Sequence, residues 1–201
     1  MRQKPRVGIV NYGSGNVASL KTSLAKIGYR PHMLEAPDDF NDAKVIIIPG
    51  VGAFPQAMDR LRSTGLDKAI LAAHENGKRI VGICVGMQIL ADVGHEISKT
   101  EGLGLLGGEI RLHPDGLQVG WMALAAEKSN DPLIVDQRVY FNHSYYLKQT
   151  SGSVLYSCQS ISVFNPAIVR KNNVIGIQFH PEKSQQTGLE ILGRVIRGEI
   201  N

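Results

Sequence analysis

The sequence predicts one α/β domain over residues 1–201, with a mainly parallel central sheet and helices on both faces. Two observations carry this expectation. In the first half, short runs that are apolar at nearly every position alternate with segments of helical period. In the second half, brief β-rich runs dominate until a last helix closes the chain.

The elements follow in order. Val7-Gly8-Ile9-Val10 ends in Asn11-Tyr12-Gly13 and reads as a buried parallel strand. Residues 14–27 follow as a helix, with Val17, Leu20, Leu24 and Ile27 on one face and Gly28 as its stop. Val45-Ile46-Ile47-Ile48, cut off by Pro49-Gly50, is the strongest strand signal. Helices are expected near 54–61 and 66–76. Arg79-Ile80-Val81-Gly82-Ile83 is a further buried strand, turning at Cys84 into a helix through Met87, Gln88, Ile89 and Leu90. Strand-like runs then occupy 110–112, 138–141, 154–156, 167–169 and 174–179, before a helix over 186–196. No repeat, low-complexity tract or linker-like stretch divides the chain, so one domain is expected.

Composition bounds the function. A chain of 201 residues is long enough for a sizeable core, and its apolar (43%) and charged (20%) fractions are those of an ordinary globular protein. No apolar run reaches the roughly 20 residues that span a bilayer. The basic start, Met1 to Arg6, leads straight into a strand and lacks the apolar region of a signal peptide, so a cytoplasmic location is expected. The two cysteines, Cys84 and Cys158, make neither a disulfide framework nor a paired metal set; neither metal nor cofactor is expected. The lysines and arginines are scattered without interleaved aromatics, which argues against a nucleic-acid footprint.

Three motifs carry chemistry. Gly82-Ile83-Cys84-Val85-Gly86, at a strand-to-helix junction, is a nucleophile elbow with cysteine in the nucleophile's place. Its turn is sharp, so residues two before and two after must be small, and glycine fills both places. The unpaired N–H groups of the helix start favour a thiolate, and the Val85 N–H is placed to bind a developing oxyanion. The plainer reading is a small buried cysteine between packing glycines. His180-Pro181-Glu182 follows a buried strand. In an extended segment, residues two apart share a side, so His180 as general base and Glu182 as its orienting carboxylate are expected to face one site. A surface His and Glu at a strand end is the plainer alternative. Pro49-Gly50-Val51-Gly52 ends the strongest strand, where two glycines free backbone N–H groups for the second half of an oxyanion hole, or form an ordinary turn. His143, within Tyr140-Phe141-Asn142-His143-Ser144-Tyr145-Tyr146, belongs to a core-edge strand or lines a pocket. His32, His74, His95 and His113 sit in polar or loop contexts and carry no assigned role.

Taken together, Gly-Ile-Cys84-Val-Gly-Met-Gln, Pro-Gly-Val51-Gly-Ala-Phe, Asn-His143-Ser-Tyr and Phe-His180-Pro-Glu-Lys-Ser resemble the class I, or triad, glutamine amidotransferases, nearly end to end. The Pro-Gly-Val-Gly-Ala-Phe turn is similar to that of the glutaminase subunits of imidazole glycerol phosphate synthase. The resemblance implies a flavodoxin-like fold and a Cys84–His180–Glu182 triad that hydrolyses L-glutamine through a cysteinyl thioester. It implies an oxyanion strand of Gly50, Val51 and Gly52, and substrate contacts from Gln88, His143 and Ser144. It implies a heterodimer in which Asn16, Trp121 and Lys183 face a barrel-shaped cyclase subunit. Ammonia passes to that subunit, which makes imidazole glycerol phosphate and aminoimidazole carboxamide ribotide in histidine biosynthesis. Asn11 and Ser14 replace the acid and methionine usual at the first turn, Val85 replaces a leucine, and Gln118-Val119-Gly120-Trp121-Met122 replaces a His-Met-Gly-Trp-Asn run. None of these touches the triad. A paralogue that supplies ammonia for amination of surface-polysaccharide sugars, a non-catalytic binding subunit and a cysteine hydrolase on a related fold are the competing readings.

Overall fold

The computed structural model describes residues 4–127, 134 and 136–200. In chain order the elements are β1 (Val7–Val10), α1 (Val17–Lys26), β2 (His32–Leu34), β3 (Val45–Ile48), α2 (Phe54–Thr64), α3 (Leu66–Glu75), β4 (Arg79–Ile83) and α4 (Val85–Gln88). Then come β5 (Val93–Gly94), β6 (Thr100–Glu101), β7 (Glu109–Leu112), β8 (Gln118–Ala126), β9 (Arg138–His143) and β10 (Tyr145–Lys148). The chain ends with β11 (Ser153–Cys158), β12 (Asn165–Lys171), β13 (Val174–Ile177) and α5 (Gln185–Arg197).

One sheet of nine strands runs through the molecule in the order β2-β1-β3-β4-β13-β12-β11-β8-β9. The pairings from β2 to β13 are parallel, and those from β13 to β9 are antiparallel. The α/β architecture is the expected one, with a mixed sheet whose parallel half comes mostly from the first half of the chain. Its parallel strands are apolar at nearly every position because they are covered on both faces; Val45 to Ile48 are all buried. From β1 the chain crosses through α1 to β2 on one side, and from β3 through α2 and α3 to β4 on the other. Right-handed crossovers running in opposite directions put these helices on opposite faces. Accordingly α1 packs with α5, and α2 with α3 and α4. Val17 and Ile27 pack partly buried against the core beside Leu20 and Leu24, so the expected face of α1 is the one it buries.

A second sheet, β10-β7-β5-β6, lies beside the first. Only Ser144 separates β9 from β10, so the chain leaves one sheet and enters the other at a single corner. The His113 N–H donates to the Ser144 carbonyl at 2.7 Å and holds that corner to the end of β7.

The strand order reverses at β1 and β3, and ligands of open α/β sheets bind outside the carboxyl ends of the strands at such a point. The segments there are Asn11–Ser14 after β1, Pro49–Gly52 after β3, Cys84 after β4 and Gln178–His180 after β13. They sit unusually close together. A Cβ on Gly86 would run into the carbonyl of Ile48, and one on Gly82 into the carbonyl of Gly86. A Gly86→Ala substitution is therefore expected to cost about 1–3 kcal/mol of stability through overpacking. Urea unfolding checks this, and an unchanged midpoint would contradict it.

Candidate active site

Cys84 leaves β4 with φ 54 and ψ −114, in a left-handed region that a side-chain-bearing residue rarely occupies. The close packing of Gly82, Gly86 and Gly50 leaves the turn no room to relax; a Cβ on Gly50 would meet the backbone of Gly86 and the side chain of Val85. The Cys84 N–H donates to the Ile177 carbonyl at 2.7 Å, which ties the elbow to the end of β13. The elbow expected between the two glycines is present, although α4 is only a four-residue turn.

His180 stands three residues beyond the end of β13 and is extended, with φ −99 and ψ 95. Residues Pro181–Lys183 then form a 3-10 turn. This corrects the reason for the His-Pro-Glu spacing: Glu182 reaches His180 by the chain curling back after the proline, not by extended alternation. The proline fits because the first position of such a turn needs no N–H. His180 Nδ1 lies 2.9 Å from Glu182 Oε1, and both side chains are almost fully buried. Cys84 and His180 line the same cavity, and the Cys84 sulfur also lies 4.0 Å from the Asn142 carbonyl. Burial opposes a charge on His180, but its interactions with the Cys84 and Glu182 side chains outweigh it, and the imidazole is pushed up to about 9.

Ser184, fully buried, fastens this turn. Its hydroxyl donates to the His180 carbonyl at 2.6 Å and accepts from the Tyr140 N–H of β9 at 2.9 Å. The His180 N–H in turn donates to the Tyr140 carbonyl at 2.9 Å. Only the motif Phe-His-Pro-Glu-Lys-Ser hinted at Ser184 in the sequence.

A cavity of about 240 Å³ opens over Cys84 and His180. Val51, Gly52, Val85, Gln88, His143 and Ser144 line it, so most of the residues expected at an oxyanion turn and a substrate pocket are gathered there. Gly50 lies behind it, packed on the first turn of α4. Gln88 is nearly buried and spends its amide N–H on the Tyr145 carbonyl at 2.9 Å. His143 lies in β9 and at the cavity wall, so both placements considered for it hold. Burial is the main force that pushes it down to about 4, with His113 and His180 adding to this against its hydrogen bond to the Tyr145 carbonyl. A neutral His143 then donates from Nδ1 to that carbonyl, 2.9 Å away.

Three features escaped the sequence. Glu96 lines the cavity, and its carboxylate accepts the N–H of Phe54 at 2.7 Å, capping α2 just past the Pro49–Gly52 turn. Leu117, from the loop before β8, closes another part of the wall. His113, given no role, is buried edge-on against Tyr146 and His143 and backs the wall. The residues expected to face a partner lie outside the cavity. Trp121 is partly exposed and edge-on to Tyr140, Lys183 holds its ammonium 5.8 Å from the Tyr140 ring centre, and Asn16 precedes α1. Among the described residues, no group of three or more His, Cys, Asp or Glu is placed to hold a metal ion, and no helix is long and apolar enough to cross a membrane. Cys158 is buried far along the sheet, and burial pushes its thiol up to about 12.

The profile of the glutamine amidotransferase class-I family matches residues 8–195. The chain belongs to this family. It is 41% identical over 192 residues to a Desulfitobacterium hafniense protein named imidazole glycerol phosphate synthase subunit HisH, covering 92% of this chain and 91% of that one. It is 40% identical over 197 residues to the HisH subunit of a Geobacillus species, covering 92% and 93%. Among solved structures, a glutamine amidotransferase aligns over 96% of this chain and 98% of its own, with a TM-score of 0.76 at 19% identity. The PurLQS structure from Thermotoga maritima aligns over 98% and 99%, with a TM-score of 0.77 at 23% identity. These two likenesses bear on the fold, which is that of the class-I amidotransferases.

The histidine in this amidotransferase links stability to pH. Its folded value of about 9 lies above the ordinary value of 6.5. The stability it contributes is thus fully present below about pH 6.5 and lost as pH rises through about 9. The unfolding free energy of the wild type minus that of His180→Gln is expected to be flat at acid pH and to shrink between these values. Urea titrations across the range check this, and a difference that grows with pH would contradict it.

Proposed function

We propose that the chain hydrolyses L-glutamine to glutamate and ammonia, with Cys84 as nucleophile, His180 as acid and base, and Glu182 as the carboxylate that orients His180. One observation carries the reading: an elbow cysteine and a histidine line one small cavity, and a buried glutamate lies 2.9 Å from that histidine's Nδ1. The Cys84 sulfur attacks the side-chain carbon of glutamine, and the carbonyl electron pair moves onto oxygen. N–H groups of the 50–52 turn and of Val85 meet that charge. His180 passes a proton to the departing nitrogen, ammonia leaves, and a glutamyl thioester remains on Cys84. His180 then takes a proton from water as that water attacks the thioester; glutamate departs and the thiol is restored.

The cavity also suits the amino-acid end of the substrate. Glu96 supplies a carboxylate for the α-ammonium, and Gln88, His143 and Ser144 border the same space. Relatives 36–41% identical that carry the imidazole glycerol phosphate synthase name support the pathway. On this reading the chain works in the cytoplasm as one half of a heterodimer. Its ammonia passes to a barrel-shaped cyclase subunit that forms imidazole glycerol phosphate and aminoimidazole carboxamide ribotide for histidine biosynthesis. Asn16, Trp121 and Lys183 are the residues proposed to meet that subunit.

Cys84→Ala is expected to abolish glutamine-dependent turnover of the complex while synthesis from added ammonium salts continues. Equal loss with both nitrogen sources would refute the ammonia-donor role. Glu96→Gln is expected to raise the KM for glutamine about tenfold or more, with a smaller change in kcat, as for the loss of a charged partner. Steady-state kinetics decide, and an unchanged KM would remove Glu96 from the substrate site.

A further inference from the structure

At the amino ends of the parallel strands, away from the catalytic cavity, lies a second cavity of about 250 Å³, lined by Arg79, Arg170, Asn172, Asn173, Gly198 and Ile200. Arg79 opens β4, whose other end leads into Cys84. Arg170 stands near the end of β12, Asn172 and Asn173 make the turn into β13, and Gly198 ends α5. The wall is fixed by its own hydrogen bonds. Arg79 Nη1 donates to the Ile196 carbonyl at 2.6 Å, and its guanidinium lies over Gly198, where a Cβ would run into it. The Asn173 amide donates to the His74 and Lys78 carbonyls at 3.1 and 2.6 Å, which ties the turn to the segment before β4. Arg170 Nε donates to the Asn172 carbonyl at 3.3 Å.

The lining brings two guanidinium groups and no acidic side chain. Among the described residues, no carboxylate lies within ion-pair distance of Arg79, and the bond to Ile196 is its one side-chain hydrogen bond. Burial holds the Arg79 guanidinium below its ordinary value, and the charge of Arg170 adds to this. Two like charges converging on one cavity oppose each other, and a shared counter-ion relieves that cost. Arginine keeps its charge, and its planar fork matches the oxygens of a phosphate group. A phosphate monoester carries close to two negative charges at neutral pH, which balances the pair. The cavity is about as large as the one over Cys84, so it has room for a phosphate group alone or with a small organic residue attached.

We propose that this cavity is a binding site for a phosphate group, held by Arg79 and Arg170 between β4, the β12–β13 turn and the end of α5. The site is separate from the glutaminase reading above, since it occupies the opposite end of the strands. A ligand bound there joins segments that are far apart in the chain, so it stabilises the folded domain by mass action. Asn172 supplies a direct probe. Its φ of +54 is one that aspartate also tolerates, so Asn172→Asp adds a carboxylate beside the arginines with the backbone left in place.

The test titrates the full chain with inorganic phosphate and with ribose 5-phosphate by calorimetry, and follows Tm against sodium chloride of equal ionic strength. Wild type is expected to bind at least one of the two, with Tm raised by about 3–6 °C at about ten times Kd. Arg79→Gln is expected to weaken binding about tenfold or more, the worth of a charged hydrogen bond, and Asn172→Asp to weaken it similarly by repulsion. A tighter Kd for ribose 5-phosphate identifies a phosphomonoester as the occupant, and an equal or weaker one identifies inorganic phosphate. Absence of heat and of any Tm shift beyond that in chloride would overturn the site, as would binding that persists unchanged in both variants. If Arg79→Gln loses its cooperative melt, Asn172→Asp alone decides.

Discussion

Everything at this site hangs on the backbone of one residue. Cys84 is held left-handed because three glycines, at 50, 82 and 86, let three pieces of main chain approach more closely than any side chain permits. A relaxed backbone at that point would carry the sulfur away from His180 and the α4 N–H groups away from the cavity. The strain of such a conformation, of order 1–3 kcal/mol, is sustained by the surrounding sheet. The parallel strands supply that rigidity, being buried along their lengths and bonded on both sides by neighbours from β1 to β13.

The two halves of the sheet divide the labour. Parallel strands deliver the reacting groups, each from the loop at a carboxyl end. The antiparallel strands, together with the small second sheet, build the wall opposite, where the chain crosses between sheets at Ser144. The halves meet at β13, which pairs parallel with β4, Ile83 opposite Ile177, and antiparallel with β12. The β4–β13 register sets Cys84 and His180, the proposed nucleophile and base, side by side, since Cys84 follows β4 at once and His180 comes three residues after β13. The Ser184 hydroxyl then locks the second half's edge strand, β9, onto the turn that carries the base and its carboxylate.

What the sequence disclosed was whatever local chemistry dictates. The run Val45–Ile48 is apolar at every position and has no other stable place than a covered strand. The glycine pair around Cys84 is readable because its reason lies within five residues. By contrast β8 gives no such signal: Gln118–Ala126 is rich in alanine and glycine and partly exposed, and it becomes a strand only through β9 and β11, whose partners lie far along the chain. Glu96 belongs to no motif and acquires its place only when α2 begins beside it. His113 looked like a loop residue because the rings that bury it come from residues 143 and 146. The His-Pro-Glu triplet discloses that its two ends meet but not how, since nothing in three letters distinguishes an extended pair from one that curls after proline.

β13 is the last strand of the chain, yet it lies in the middle of the sheet, between β4 and β12. It is the keystone of the assembly as well as the strand that leads to the base. On the ribosome, β1 to β4 emerge early and can pair among themselves, because the contacts that order them are comparatively local. The nucleophile's elbow then waits for an anchor, the Ile177 carbonyl, that is made more than ninety residues later. Until that strand slots in, Cys84 has neither its base nor its final backbone bond. On the proposed mechanism, synthesis and activation are thereby coupled in time: a nascent or truncated chain carries Cys84 but not the base beside it, and the site is complete only once the domain around it is closed.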